Sequence, residues 1–280
     1  MVIETDVLLA DGQVLRAYDT GTDGPLTVLW HHGTPNIGAP PAPLFAASAR
    51  LGIRWVAYDR PGYGGSTPRP GRDIASAAAY ATAVADALGV GRFAVMGHSG
   101  GGPHALACAA LLPERVTAVV SISAMAPFGA AGLDWFAGMA DAGVASLRAA
   151  AAGRAAKEEY EASAEFDPEV FTAADHAALS GSWSWLNDVV GPALKSGTGP
   201  MIDDDLAYVT PWGFDPADVT APVLLVHGEE DRMIPASHGE WLARHCRTAE
   251  LWKSPGDGHI SVLDRAEEAL GRLADHAGRG

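Results

Sequence analysis

Phe93-Ala94-Val95-Met96-Gly97-His98-Ser99-Gly100-Gly101-Gly102-Pro103-His104-Ala105-Leu106 is the stretch on which the reading of this chain turns. A compact apolar run, Phe93–Met96, has the length and composition of a buried strand. It passes into Gly97-His98-Ser99-Gly100-Gly101, and an alanine-rich segment from Pro103 to Leu112 then favours helix. The pattern G-x-S-x-G between a strand and a helix is that of a nucleophile elbow. Such a turn strains its serine and crowds its backbone, so only small residues fit two positions to either side, and Gly97 and Gly101 meet that need. In a chain with 33 glycines the bare pattern carries little weight. The strand before it and the helix after it are what make it informative.

Outward from the elbow the same alternation continues. Leu26–Trp30, Ile53–Tyr58 and Val116–Ile122 read as further buried strands, each apolar and bounded by Gly, Pro or Asp. Pro43–Arg50 and Ile74–Leu88 read as the helices between them. Alternating units of this kind predict a parallel sheet with right-handed crossovers and helices on both faces. The opening, Ile3–Leu9 and Gln13–Tyr18 around Asp11-Gly12, predicts a hairpin and therefore an antiparallel start to a mostly parallel, twisted sheet. Alternation stops after Ala124 and resumes with Val223–Val226, Ala236–His245, Ala249–Trp252 and a closing helix through His259–His276. Between them, Ala131–Ala152, an acidic Lys157–Glu165 stretch, a helix start at Asp167-Pro168 and Ser182–Leu194 contain no convincing strand. Residues 127–212 are therefore expected to form a helical cap (lid) inserted into a core made of residues 1–126 and 213–280.

Composition removes several function classes. The chain has 280 residues, enough for a large unstapled core, and 48% of them are hydrophobic against 19% charged. Its formal net charge of −15 would repel phosphate backbones and anionic lipid headgroups, so neither nucleic acid nor membrane is expected as a partner. Cys108 and Cys246 are too few for a disulfide framework or a thiolate metal site. The N-terminus carries acids where a signal peptide needs bases, and no run reaches the roughly 18 apolar residues of a membrane span, so a cytoplasmic location is expected.

A serine hydroxyl needs a base to act as a nucleophile at neutral pH, and the base needs a third group to orient it. Of the ten histidines, His259 alone lies in a loop after the last strand, in Pro255-Gly256-Asp257-Gly258-His259. Its flanking glycine permits close approach, and it is the candidate base. The acid should follow the penultimate strand, where Glu229-Glu230-Asp231 offers three adjacent carboxylates. Spacing alone does not choose between them; Asp231 is the candidate and Glu230 its competitor. For a tetrahedral oxyanion, Gly100 N–H supplies one donor. Pro35 cannot donate, so Thr34 N–H, in His31-His32-Gly33-Thr34-Pro35, is the candidate for the other. His32 is expected to brace that loop.

Taken together, His32-Gly33-Thr34-Pro35, Asp59-Arg60-Pro61-Gly62-Tyr63-Gly64-Gly65-Ser66, the Ser99 elbow, Gly228-Glu229-Glu230-Asp231 and Gly258-His259 resemble, in order, the motifs of the α/β-hydrolase fold. The resemblance covers about two thirds of the chain. It implies a serine hydrolase with Ser99, Asp231 and His259 as its triad, Thr34 and Gly100 as its oxyanion hole, a lid over the pocket and no metal or organic cofactor. Epoxide hydrolases and haloalkane dehalogenases of that family attack with an aspartate at the elbow, where this chain has Ser99. Proline iminopeptidases carry a second glycine where Thr34 stands and a Trp at the position of Gly100. Their lids use acids to hold an amino group, a role Asp203-Asp204-Asp205 could imitate, although a solvated acidic turn is the expected reading.

What remains is hydrolysis of an ester, thioester or lactone of a small to medium apolar molecule. Met125, Trp183 and Ile260 are candidate pocket residues, and most of the other lid aromatics are expected to pack the lid on the core. The alternatives are an aminopeptidase or carbon–carbon bond hydrolase on the same triad, or a binding protein of the same fold with little turnover. A small-molecule substrate is the only partner the sequence names, and it gives no oligomeric state.

Overall fold

The computed structural model describes residues 1–21, 24–195 and 197–278. Eight strands form one sheet: β1 (Ile3–Leu8), β2 (Val14–Asp19), β3 (Leu26–His31), β4 (Ile53–Tyr58), β5 (Phe93–His98), β6 (Val116–Ile122), β7 (Val223–Gly228) and β8 (Ala249–Ser254). Their order is β1-β2-β4-β3-β5-β6-β7-β8. The two pairings that involve β2 are antiparallel, and the pairings from β4 through β8 are parallel. β5 and β7 are buried at every position, as strands covered on both faces must be, whereas the edge strand β1 buries only Val7. Several strands run a residue or two beyond their apolar runs: β5 reaches His98 and β7 reaches Gly228.

Helices α2 (Ser76–Ala87) and α3 (Gly101–Leu111) cover one face of the sheet, and α1 (Phe45–Leu51) covers the other. Two apolar clusters result. One contains Val84, Leu106, Val119 and Leu225; the other contains Val28, Trp55, Met96 and Leu270.

Between β6 and β7 lie α4 (Asp141–Ala151), α5 (Arg154–Glu161), α6 (Ala173–Ser180), α7 (Trp185–Ala193) and α8 (Gly199–Tyr208), with no strand among the described residues. The expected helix over Ala131–Ala152 begins only at Asp141, because Gly132 and Gly138 take positive φ values of 78° and 86°, which interrupt a helix. Asp167-Pro168 caps a short 3₁₀ turn rather than a helix; the helix proper, α6, starts at a Thr172/Asp175 capping box. After β7, α9 (Ala236–His245) joins the α2/α3 face. The closing helix, α10 (Ala266–Ala277), starts after a 3₁₀ turn at Ser261–Arg265 and packs on the α1 face. No helix among the described residues is long and apolar enough to cross a membrane.

Candidate active site

Ser99 sits between β5 and α3 with φ at 55°, a left-handed conformation that costs a non-glycine residue about 1–2 kcal/mol. Its N–H donates to the Ile122 carbonyl at the end of β6 (2.8 Å), and its carbonyl accepts from Gly102 N–H (2.9 Å), so both sides of the turn are fixed. The spacing of the glycines has a steric cause. A side chain at Gly97 would overlap the Gly101 backbone, and one at Gly101 would overlap the His31 carbonyl at the end of β3.

The loops after β7 and β8 bring two more side chains together. His259 Nδ1 donates to Asp231 Oδ2 at 2.8 Å. Asp231 Oδ1 accepts the N–H groups of Met233 (2.9 Å) and Ile234 (2.8 Å), which orient the carboxylate. Both side chains are essentially buried. Burial opposes ionisation of each, but their mutual attraction outweighs it: the Asp231 pKa is lowered and that of His259 is raised. Because Nδ1 carries the proton shared with Asp231, Nε2 is left to accept one. Glu230, the competing acid, is exposed, while its neighbour Glu229 pairs with Lys253.

His98, the variable residue of the elbow, was not singled out as functional by the sequence. Its Nε2 donates to the His259 carbonyl at 2.9 Å, and the two rings lie 5.0 Å apart. Burial first, and the neighbouring His259, push the His98 pKa down to about 3, which keeps it a neutral strut.

Asp175 of α6 was also missed. Its Oδ1 accepts Ile260 N–H (2.7 Å) and Ser261 N–H (2.8 Å), the two amides after His259. Its Oδ2 serves the Thr172 capping box. A side chain at Gly258 would overlap this carboxylate, so the glycine admits Asp175 to the loop. The Thr-x-x-Asp spacing marks a helix start in the sequence but says nothing of the second job of the aspartate.

Thr34 and Gly100 are adjacent, since a side chain at Gly100 would run into Thr34 Oγ1 and the Tyr208 hydroxyl. Neither Thr34 N–H nor Gly100 N–H donates to another group among the described residues. Gly100 is buried and Thr34 half-buried, and amides without a protein partner are open to a ligand. His32 braces the loop: Nδ1 donates to the Gly33 carbonyl (2.8 Å) and Nε2 accepts Arg60 N–H (3.0 Å).

The expected solvated turn at Asp203-Asp204-Asp205 is incorrect. These residues belong to α8, and each carboxylate has a cation: Asp203 pairs with Arg154, Asp205 with Lys157, and Asp204 with both Arg60 and Arg72. Burial pushes the Asp204 carboxyl up, but the two guanidiniums outweigh it and hold it well below the usual carboxylate range. Occupied in this way, the three acids do not offer an aminopeptidase-like grip on a substrate amine.

The candidate pocket residues separate. Met125 lies in the α2/α3-side cluster with Trp135 and Met139, whereas Ile260 and Trp183 lie in the α1/α10-side cluster. Trp183 sits at the seam between the inserted helices and the core. Its indole N–H donates to Asp264 (3.1 Å), and it borders a shallow recess with Pro43, Leu44 and Leu263, so it pins the inserted helices to the core. No group of three or more His, Cys, Asp or Glu side chains among the described residues is arranged to hold a metal ion.

Residues 27–266 match the family described as the alpha/beta hydrolase fold. The chain is 28% identical over 257 residues to the pimeloyl-[acyl-carrier protein] methyl ester esterase of Nitrosomonas europaea, covering 89% of this chain and 94% of that protein. It is 28% identical over 272 residues to a 2-hydroxy-6-oxononadienedioate/2-hydroxy-6-oxononatrienedioate hydrolase of Burkholderia vietnamiensis, covering 93% and 90%. A thermophilic esterase from Thermogutta terrifontis superposes with a TM-score of 0.71 at 20% identity, over 98% of this chain and 99% of that one, a likeness of fold alone.

Proposed function

This chain belongs to the alpha/beta hydrolase fold family, and we propose that it is a serine esterase acting on small to medium, largely apolar esters or lactones through an acyl-enzyme on Ser99. The observation that carries this reading is the buried His259–Asp231 bond at the same sheet edge as the left-handed Ser99. In the first step Ser99 Oγ attacks the carbonyl carbon as its proton passes to His259 Nε2. The oxyanion forms against the free Thr34 and Gly100 amides, each such donor being worth about 3–4 kcal/mol. The imidazolium, steadied by Asp231, returns the proton to the leaving alkoxide. Water then loses a proton to His259 and attacks the acyl-enzyme, and the imidazolium returns that proton to Ser99 Oγ as the acid is released. The scheme uses no metal or organic cofactor.

The relatives act, by name, on a pimeloyl-[acyl-carrier protein] methyl ester and on 2-hydroxy-6-oxononadienedioate or 2-hydroxy-6-oxononatrienedioate. Charge favours a free ester over an acyl group presented on an anionic carrier, because residues 127–212 hold 13 Asp or Glu against 4 Lys or Arg. Ser99→Ala should abolish hydrolysis of p-nitrophenyl acetate and butyrate and labelling by a fluorophosphonate. Retained activity would remove the triad. A panel of short esters, lactones and vinylogous diketones would separate ester from carbon–carbon cleavage.

A further inference from the structure

Asp204 lies on inserted helix α8, far in sequence from the elbow, yet the orientation of the oxyanion loop leads back to it. The Gly33 carbonyl is held by two donors, Arg60 Nη2 at 2.9 Å and His32 Nδ1 at 2.8 Å. The Gly33–Thr34 peptide is trans, so its N–H points opposite to its C=O. Holding the carbonyl toward Arg60 and His32 therefore turns Thr34 N–H away from them, where it has no partner of its own. Arg60 also donates to the His32 carbonyl, so it holds two successive carbonyls of the loop.

What holds Arg60 is Asp204. Nε and Nη2 of the guanidinium meet Oδ1 and Oδ2 of the carboxylate at 3.1 and 2.7 Å, a two-pronged grip that fixes the plane of the fork. Arg72 anchors Oδ1 at 2.6 Å and Tyr63 donates to Oδ2 at 2.9 Å. Thr34 joins directly: its hydroxyl donates to Asp204 (2.6 Å), accepts from Arg60 (2.9 Å) and meets the Tyr208 hydroxyl (2.7 Å). The side chains of Arg60, Arg72 and Asp204 are all buried. Two guanidiniums face one carboxylate, and the nearby His32 and His104 are kept neutral by burial and by Arg60.

The geometry points to Asp204 as a positioning residue for the oxyanion hole: it acts through Arg60 and Thr34, so the hole is fully assembled only when α8 is seated on the core. This inference rests on the serine-esterase reading above and adds the group that would aim its second oxyanion donor.

The test compares wild type, Asp204→Asn and Thr34→Val. Fluorophosphonate labelling of Ser99 is measured first in the wild type; failure to label there overturns the esterase reading, and this inference with it. With a labelling wild type, Asp204→Asn should lower kcat for p-nitrophenyl butyrate by roughly ten- to a hundredfold, less than the loss of a whole donor. KM should stay within about twofold, as for an interaction made only in the transition state. Affinity for a trifluoromethyl ketone, whose adduct carries an oxyanion, should fall by the same factor as kcat. The acid limb of the pH profile should not move, since the charges acting on His259 are those of Asp231 and Asp175. An unchanged kcat, or a reduced kcat with unchanged ketone affinity, overturns the inference alone. If Asp204→Asn does not fold, Thr34→Val carries the same test. It keeps the backbone donor and the shape of the side chain and removes the hydroxyl's ties to Asp204, Arg60 and Tyr208; a several-fold loss in kcat and ketone affinity is expected, and no loss in either overturns the inference.

Discussion

Asp231 comes from the sheet core and Asp204 from the inserted helices, and the two carboxylates are stabilised in different ways. Both are buried and both are held below the usual carboxylate range. Asp231 faces His259, a titratable imidazole whose pKa it raises. Asp204 faces two guanidiniums, which keep their charge at any pH the protein meets. The core pair can therefore follow the proton through a reaction cycle, while the α8 pair stays fixed throughout it. Moving parts and frame are built from different ionisable groups.

The sharpest way to break that contrast is Asp231→Asn. The amide holds a similar shape but favours the wrong imidazole tautomer, so kcat should drop by roughly 10⁴. In the wild type, the Asp231 and Asp175 charges outweigh the effect of burial and raise the His259 pKa above 6.5. Since the base works only when neutral, activity should fall as pH decreases through a value above 6.5. Without the Asp231 charge, burial dominates and the residual activity should lose this limb toward lower pH. A pH–rate series on p-nitrophenyl butyrate measures both effects. A wild-type-like kcat would transfer the acid role to Glu230, and a limb that does not move would mean that Asp231 and Asp204 differ in nothing but location.

The core was legible in the sequence because its constraints are local. Gly97 is fixed by the Gly101 backbone within the elbow, and the strands β4 and β6 coincide with their apolar runs. The inserted helices were less legible because long-range partners decide them. Asp203-Asp204-Asp205 has the composition of a solvated turn, and only Arg60, Arg72, Arg154 and Lys157 make a buried helix face of it. Arg60 has in the sequence only its place in the Asp59–Ser66 motif, since nothing nearby announces a carboxylate 144 positions later. His98 and Asp175 escaped notice for a related reason. Each acts on backbone groups of the His259 loop, and a backbone partner leaves no residue-type signature.

Asp175 tests the contrast at its smallest scale, because it belongs to the inserted helices and yet touches the loop of the titrating base. Its carboxylate accepts Ile260 and Ser261 N–H with one oxygen and Thr172 with the other. Asp175→Asn can keep an acceptor toward Ile260 and Ser261, but it turns an amide nitrogen toward Thr172 N–H, which then has no acceptor. A charged hydrogen bond of this kind is worth about 2 kcal/mol, and thermal melting at pH 7 should show a loss of that order. Burial opposes the Asp175 charge, but hydrogen bonds from Ser261, Thr172 and Ile260 lower its pKa in the fold. Its stabilising share is therefore present above the unfolded value of about 3.9 and is lost as pH falls through the lowered one, so the gap between wild type and variant should close in acid. The loss of charge should also move the acid limb of activity down by a few tenths of a unit, much less than Asp231→Asn moves it, with kcat at the plateau reduced only a few-fold. A limb that moves as far as in Asp231→Asn would make Asp175 a partner of the base in its own right. A variant unchanged in melting and in limb would reduce its four hydrogen bonds to contacts without consequence.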